Sequence, residues 1–322
     1  MTNCRTVLAL LFLQFASFAG VPANAETIGF SEAVNQFAVG CGADIAKYCK
    51  TANLGGGRLQ QCLSQNKAGV SARCVATIRG LDTLIAKRAA ARAAVASVCD
   101  ADIKRLCAGV QAGDGNLMEC FYAAKQNMSP QCRQTVEDAG YEVRLAPSQA
   151  TSQVALDPNQ LVSSLQGVDA AASGISAAGL RQLVAAGMRD PSRVNRVNRE
   201  PLTDRLNNLA QFTIAIQFDF GSARIRPDSF KAVGLMADAL NHPYLQGYRF
   251  IIVGHTDAVG SRETNLKLSE QRANAVREAL INPFQINPAR LEAVGFGEEQ
   301  LLNRAHPEAA ENRRVQLINI GK

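Results

Sequence analysis

An α+β protein is predicted, with an all-α, disulfide-stapled front half and a C-terminal βαβαββ unit of one mixed sheet and packed helices. Three observations carry this reading. Eight cysteines fall in two sets, Cys41, Cys49, Cys62, Cys74 and Cys99, Cys107, Cys120, Cys132, separated both times by 8, 13 and 12 residues. An alanine- and arginine-rich stretch, Leu84 to Val98, joins the sets and favours helix. From Phe212 onward, β-branched and aromatic runs alternate with stretches whose apolar residues recur at helical spacing. The organisation reads as a signal peptide over 1–25, a cysteine-rich helical repeat over 26–80, and a connector with a second repeat over 81–140. A linker with local helix follows over 141–208, then a C-terminal domain over 209–322.

The first segment sets the compartment. Arg5 gives a positive start, Val7 to Phe18 is apolar apart from Gln14 and Ser17, and Ala23-Asn24-Ala25 has the form of a cleavage site, so the mature chain begins at Glu26. The apolar run is too short to span a bilayer, and no later stretch reaches the roughly 20 residues required. Cys4 precedes the apolar core, out of place for lipidation; an uncleaved N-terminal anchor is the alternative. The whole chain carries a formal charge of +6, suited to an anionic surface and too weak to argue for nucleic acid. Loss of Cys4 with the signal leaves an even cysteine count, which in an exported protein reads as disulfides. Structural metal sites use shorter gaps between thiolates than these.

The repeats agree beyond cysteine. Asp44-Ile45 corresponds to Asp102-Ile103, Leu59 to Leu117, and Ser71 to Ser129. Gly55-Gly56-Gly57 and Gly113-Asp114-Gly115 break the chain at equivalent points, so each unit reads as two short helices joined by a glycine turn. Of the three connectivities open to each repeat, antiparallel helices are stapled most simply by Cys41–Cys74 with Cys49–Cys62, and Cys99–Cys132 with Cys107–Cys120. Each bridge contributes roughly 2–4 kcal/mol to a unit too small for a large core. The repeats resemble a cysteine-rich repeat of certain extracytoplasmic and Golgi proteins, which implies binding or spacing and no catalytic role.

Between 141 and 208, Ser, Gln, Ala and Gly dominate, Leu180, Leu183 and Val184 share one short helix, and Arg193, Arg196 and Arg199 form a basic patch. Then come a strand over Phe212 to Phe220, a helix from Pro227 to Leu240, and an apolar, hence central, strand from Tyr248 to Val253. A second helix starts near Ser269, its predicted cap, and carries Ala273, Val276 and Leu280 on one stripe. Strands over Leu291 to Val294 and Val315 to Ile320 complete the sheet.

From Gln217 to Ile320 the chain resembles the OmpA-like peptidoglycan-binding domain. The resemblance rests on Phe218-Asp219-Phe220-Gly221-Ser222-Ala223, Gly254-His255-Thr256-Asp257-Ala258-Val259-Gly260-Ser261, Asn265, Leu268-Ser269-Glu270-Gln271-Arg272-Ala273, Gly295-Phe296-Gly297 and Asn312-Arg313-Arg314-Val315. It implies non-covalent binding of the peptide stem through the zwitterionic end of diaminopimelate. Asp257 then takes the ammonium, and Arg272 takes the carboxylate with a two-pronged geometry that lysine lacks. With Ser269 as cap, Arg272 stands in the first turn, where a docked anion would offset an unfavourable helix dipole. Asn265 lines the site or its loop, Phe218 and Asp219 border it, and Thr256 and Leu268 form its wall. Alternation along a strand opening at Asn312 sends Arg313 toward the ligand and Arg314 away.

His255 reads as structural: the histidines His242, His255 and His306 are scattered, and Gly-x-Ser-x-Gly is absent. No cofactor, metal site or catalytic residue is expected. Unlike relatives with a barrel, the front half lacks repeated alternating strands. The leading expectation is a non-catalytic periplasmic protein associated with the cell wall, peripheral to the outer membrane, whose cysteine-rich half engages an envelope protein, the outer-membrane surface or nothing specific. The alternatives are a targeting subunit of an envelope complex and a wall-remodelling hydrolase.

Overall fold

A computed structural model of the chain describes residues 27–111, 113, 115–141, 158–166, 175–190, 192 and 205–322. The signal segment and the patch of Arg193, Arg196 and Arg199 lie outside the described residues.

Each cysteine repeat holds three helical segments where the sequence suggested two. The first has α1 (Phe30–Tyr48), α2 (Arg58–Gln65) and the start of α3 (Ala72–Val98). The glycine turn accounts for one break, with Gly56 and Gly57 at positive φ. The second break is set by Ser71, whose hydroxyl caps α3 by accepting from the Cys74 N–H. The connector is not a separate element: it continues α3 as a single helix of 27 residues. The second repeat follows as α4 (Asp100–Leu106), α5 (Asn116–Ala123) and α6 (Pro130–Asp138), with Ser129 capping α6. Disulfides join Cys41 to Cys74, Cys49 to Cys62, Cys99 to Cys132 and Cys107 to Cys120, the nested arrangement in both repeats.

Two helices precede the sheet, α7 (Pro158–Leu165) and α8 (Ala177–Arg189). The C-terminal unit runs β1 (Gln211–Ile214), α9 (Phe230–Leu240), β2 (Arg249–His255), α10 (Arg262–Ile281), β3 (Leu291–Gly297) and β4 (Val315–Gly321). The strands lie in the order β1-β4-β2-β3, with β2 parallel to β3 and β4 antiparallel to both β1 and β2. Strand β2, apolar from Phe250 to Val253, is interior, as that run requires. The first strand is shorter than the expected Phe212 to Phe220. After Ile214 the chain leaves the sheet and folds back on itself, with Phe218 bridging Ile225 and the Arg226 N–H donating to the Gln217 carbonyl.

Ala273, Val276 and Leu280 of α10 are buried on one face of the sheet, together with Phe250, Ile252 and Ala293. The helix sits close because Gly254 and Gly295 carry no side chain. A Cβ on either would come within 2.3 Å of the backbone at Ser269 or Glu270. The opposite face is covered by Leu180 and Val184 of α8 and by Leu206, packed on Ile251, Val253, Val294 and Ile318. The first cysteine repeat shares the main core: Phe30, Val34, Ile45 and Leu59 pack in one cluster with Phe230, Val233 and Met236 of α9.

Candidate ligand-binding site

Three loops meet at one end of the sheet. The first, after β1, is a tight turn in which the Ser222 N–H donates to the Asp219 carbonyl and the Asp219 N–H to the Arg224 carbonyl, with Gly221 at positive φ. The second joins β2 to α10. Positive φ at Gly260 turns it into Ser261, whose hydroxyl accepts from the Thr264 N–H and caps the helix. The third lies between β3 and β4.

Helix α10 therefore begins at Arg262, two turns before the expected start, and Ser269 is not its cap. The Ser269 hydroxyl instead donates to the Leu266 carbonyl and accepts from the Gly297 N–H, tying the helix to the end of β3. Arg272 is consequently in mid-helix, and the dipole argument does not apply to it. The last strand is corrected too. Asn312 ends a 3-10 turn, Arg313 follows it, and β4 opens only at Val315. The cause is Asn312 itself. Its buried amide donates to the carbonyls of Asn303, His306 and Pro307, and its oxygen accepts from the Asn303 N–H, which holds the third loop in shape.

Asp257 stands just past β2 with a side chain 13% exposed, and accepts from the Val259 N–H and from Arg313 at 2.6 Å. Arg272 is 9% exposed. Its guanidinium lies over the Phe218 ring, 4.9 Å from the centroid, and its Nε donates to the Ser222 carbonyl at 3.0 Å. Among the described residues, no carboxylate pairs with it and neither terminal nitrogen has a hydrogen-bond partner. Burial lowers its pKa from the ordinary arginine range; Asp257 opposes this shift and Arg313 adds to it. The arrangement thus offers an acceptor at Asp257, shared with Arg313, and two free donors at the largely buried Arg272, which senses the Asp257 charge.

The other expected residues divide. Asn265 is buried and its amide donates to Glu298 at 2.6 Å, bracing the end of β3. The Asp219 carboxylate is taken by Arg224 at 2.6 Å. Thr256 is buried, its N–H donating to the Gly297 carbonyl and its hydroxyl unpartnered among the described residues; Leu268 is half-buried. Arg313 and Arg314 point to opposite sides: Arg313 reaches Asp257, whereas Arg314 is buried, donates to the Gln300 carbonyl, and is pushed down to about 10 by burial. His255 is buried against Phe296 and Gln316, and burial lowers its pKa far below the usual imidazole value. Among the described residues there is no group of three or more histidines, cysteines and carboxylates able to hold a metal ion. The sequence reading passed over the Ser222 carbonyl, which fixes Arg272, and Phe220, fully exposed on the same loop. The Gly221-Ser222 turn signal marks that loop.

The βαβαββ order and the four-stranded mixed sheet are those of an OmpA-type module. Residues 217–314 match the OmpA family, and this part of the chain is an OmpA-like domain preceded by a disulfide-rich region. Over 102 residues the chain is 37% identical to the peptidoglycan-associated lipoprotein of Pseudomonas aeruginosa, covering 31% of this chain and 58% of that one. It is 36% identical over 103 residues to outer membrane porin F of the same organism, covering 31% and 29%. It therefore spans little more than half the length of the first relative and under a third of the second. The crystal structure of the peptidoglycan-associated lipoprotein from Burkholderia pseudomallei is 31% identical, with 37% of this chain and 99% of that one covered and a TM-score of 0.29. Among the described residues, no helix is long and apolar enough to cross a membrane.

Proposed function

We propose that the C-terminal domain binds peptidoglycan through the free end of diaminopimelate in the peptide stem, as a non-catalytic anchor in the periplasm. Asp257 takes the ammonium and Arg272 the carboxylate. Arg313 holds Asp257 in the unliganded protein and shares it, or yields it, when the ligand arrives. Phe218 supports the Arg272 guanidinium from beneath; Thr256 and Leu268 wall the recess, while Asn265 and Asp219 keep the loops that border it. The observation that carries this reading is the state of Arg272: nearly buried, fixed through one nitrogen, with both terminal nitrogens free beside a carboxylate. A buried guanidinium in that state recovers its lost hydration when an anion docks on it. The name of the lipoprotein relative supports the same ligand class.

The test is sedimentation of the purified chain with insoluble peptidoglycan. The wild type is expected in the pellet, and Asp257→Ala and Arg272→Ala in the supernatant. Arg272→Lys is expected to bind weakly, because one ammonium cannot grip both carboxylate oxygens. Folded alanine variants that still pellet like wild type would overturn the assignment. The cysteine-rich half is proposed to engage an envelope partner while this domain holds the wall.

A further inference from the structure

The first cysteine repeat and the end of α10 line an open pocket of about 450 Å³. A pocket of this size falls in the lower range of small-molecule sites. Its floor and walls are apolar: Phe30, Val34 and Phe37 from α1, Ile78 and Ile85 from α3, and Phe284 beyond α10. Its mouth is different. Gln60, Asp82 and Asn282 are its exposed polar lining residues, the Arg58 guanidinium lies beside Gly56 at its edge, and Asp82 is the single charged side chain in the lining itself. Among the described residues Asp82 has no ion pair or hydrogen bond.

The walls cannot simply close. Disulfides fix α3 to α1 through Cys41–Cys74 and α2 to the end of α1 through Cys49–Cys62. On the far side, Arg58 of α2 pairs with Glu278 of α10 at 2.5 Å, and Gly55 abuts the α10 backbone, where a Cβ would lie 2.8 Å from the Ala279 nitrogen. Helix α2 is thus tethered to both sides of the opening. Disulfides and an ion pair tie together the elements around the pocket, as in a preformed site.

We propose that this cavity binds the single alkyl chain of an amphiphile whose head group is neutral or cationic and stays at the mouth beside Asp82. The apolar lining accepts the chain, and the uncompensated carboxylate disfavours an anionic head. The site is independent of the wall-binding reading: Asn282 lies ten residues beyond Arg272, roughly 15 Å along a helical path.

The experiment is titration of the disulfide-intact chain, below the micellar range, with laurylamine, monolaurin and laurate in parallel. Saturable one-to-one binding of the amine and the monoglyceride is expected, with laurate several-fold weaker. Asp82→Asn, an exposed position, is expected to keep chain binding and remove the difference between heads. Ile78→Trp and Ile85→Trp, two half-buried wall positions, each place an indole in the cavity and are expected to weaken all three ligands about tenfold or more. Thermal melts without ligand show which of these variants is folded, and Asp257→Ala is expected to bind the amphiphiles as wild type does. No saturable binding by the wild type, or unchanged binding in a folded tryptophan variant, would overturn the site. Laurate binding as tightly as laurylamine would overturn the head-group assignment.

Discussion

Asp44 and Asp102 each hold a serine on the third helical segment of their own repeat. Asp44 accepts from the Ser71 N–H at 2.9 Å and from its hydroxyl at 2.7 Å; Asp102 accepts from the same two groups of Ser129 at 3.0 and 2.6 Å. Each serine oxygen in turn accepts from the N–H of the cysteine three residues on. Hydrogen bonds to the charged form lower both acids: for Asp44 the Ser71 hydroxyl is the main cause, and for Asp102 the Ser129 hydroxyl and Arg105 bring the value to about 2. These pairs were visible in the sequence as matched positions, yet matching alone did not say that they touch. Their contact explains why the repeats agree at Asp and Ser as well as at cysteine: the pair seats the capped end beside the bridge formed by Cys74 or Cys132. Ser71→Ala is expected to lower stability by about 1 kcal/mol through loss of the cap. Urea melts at neutral pH check this, and Ser71→Thr, which keeps a capping oxygen, is expected to recover most of the loss.

At the scale of elements, the first cysteine repeat is a buttress for the loop after β1, which borders the proposed site. The Asn53 amide donates to the Ala223 carbonyl at 2.8 Å, its oxygen accepts from the Ile225 N–H at 3.1 Å, and Arg224 donates to the Ala52 carbonyl. Ser222, whose carbonyl fixes Arg272, lies on that same loop. Asn53→Ala is therefore expected to weaken peptidoglycan sedimentation several-fold although Asn53 touches neither Asp257 nor Arg272. A small change in melting temperature would accompany it. Wall binding equal to wild type would show that the loop holds its shape without the repeat. This link explains what was legible in the sequence and what was not. Cysteine spacing, strand composition and the run of motifs report local chemistry; they gave the repeats and the βαβαββ order, and they singled out Asp257 and Arg272 as the candidates for the proposed site. The start of α10 was misplaced because Ser261 and Ser269 both look like caps, and only the turn at Gly260 decides between them. Asn53 meets its partners 170 residues away, a pairing that no local pattern encodes.

Across the whole molecule, buried polar groups join the halves. Arg88, within the alanine- and arginine-rich part of α3, is 2% exposed. It donates to Asp238 of α9 and to the carbonyls of Ile28, Ala139 and Gly140, with its guanidinium over the Phe30 ring. Asp238 also accepts the N–H groups of Phe30 and Ser31 at the start of α1. One ion pair thus ties both repeats to the C-terminal domain. A second junction lies at His242, which follows α9 and packs edge-on against Tyr122 of α5 and tilted against Tyr244. Burial, with Lys125 adding to it, pushes His242 down to about 4. An unfolded imidazole titrates near 6.5, so between about pH 6.5 and 4 the unfolded chain binds a proton that the folded chain refuses. Stability from this group is complete above the upper value and falls as pH drops toward the lower one, by about 1.4 kcal/mol per pH unit within the window. His255, also buried and lowered, contributes in the same direction. The acids Asp44 and Asp102 lose their contribution only at lower pH, because both are lowered from 3.8. His242→Asn keeps an acceptor for the Tyr244 N–H, which His242 Nδ1 now receives. Urea melts between about pH 7.5 and 5 are expected to show a shallower loss of stability in this variant, smaller by up to one proton's worth of slope. An unchanged slope would mean that His242 charges freely in the folded protein and that the junction between α5 and the C-terminal domain opens before the rest unfolds.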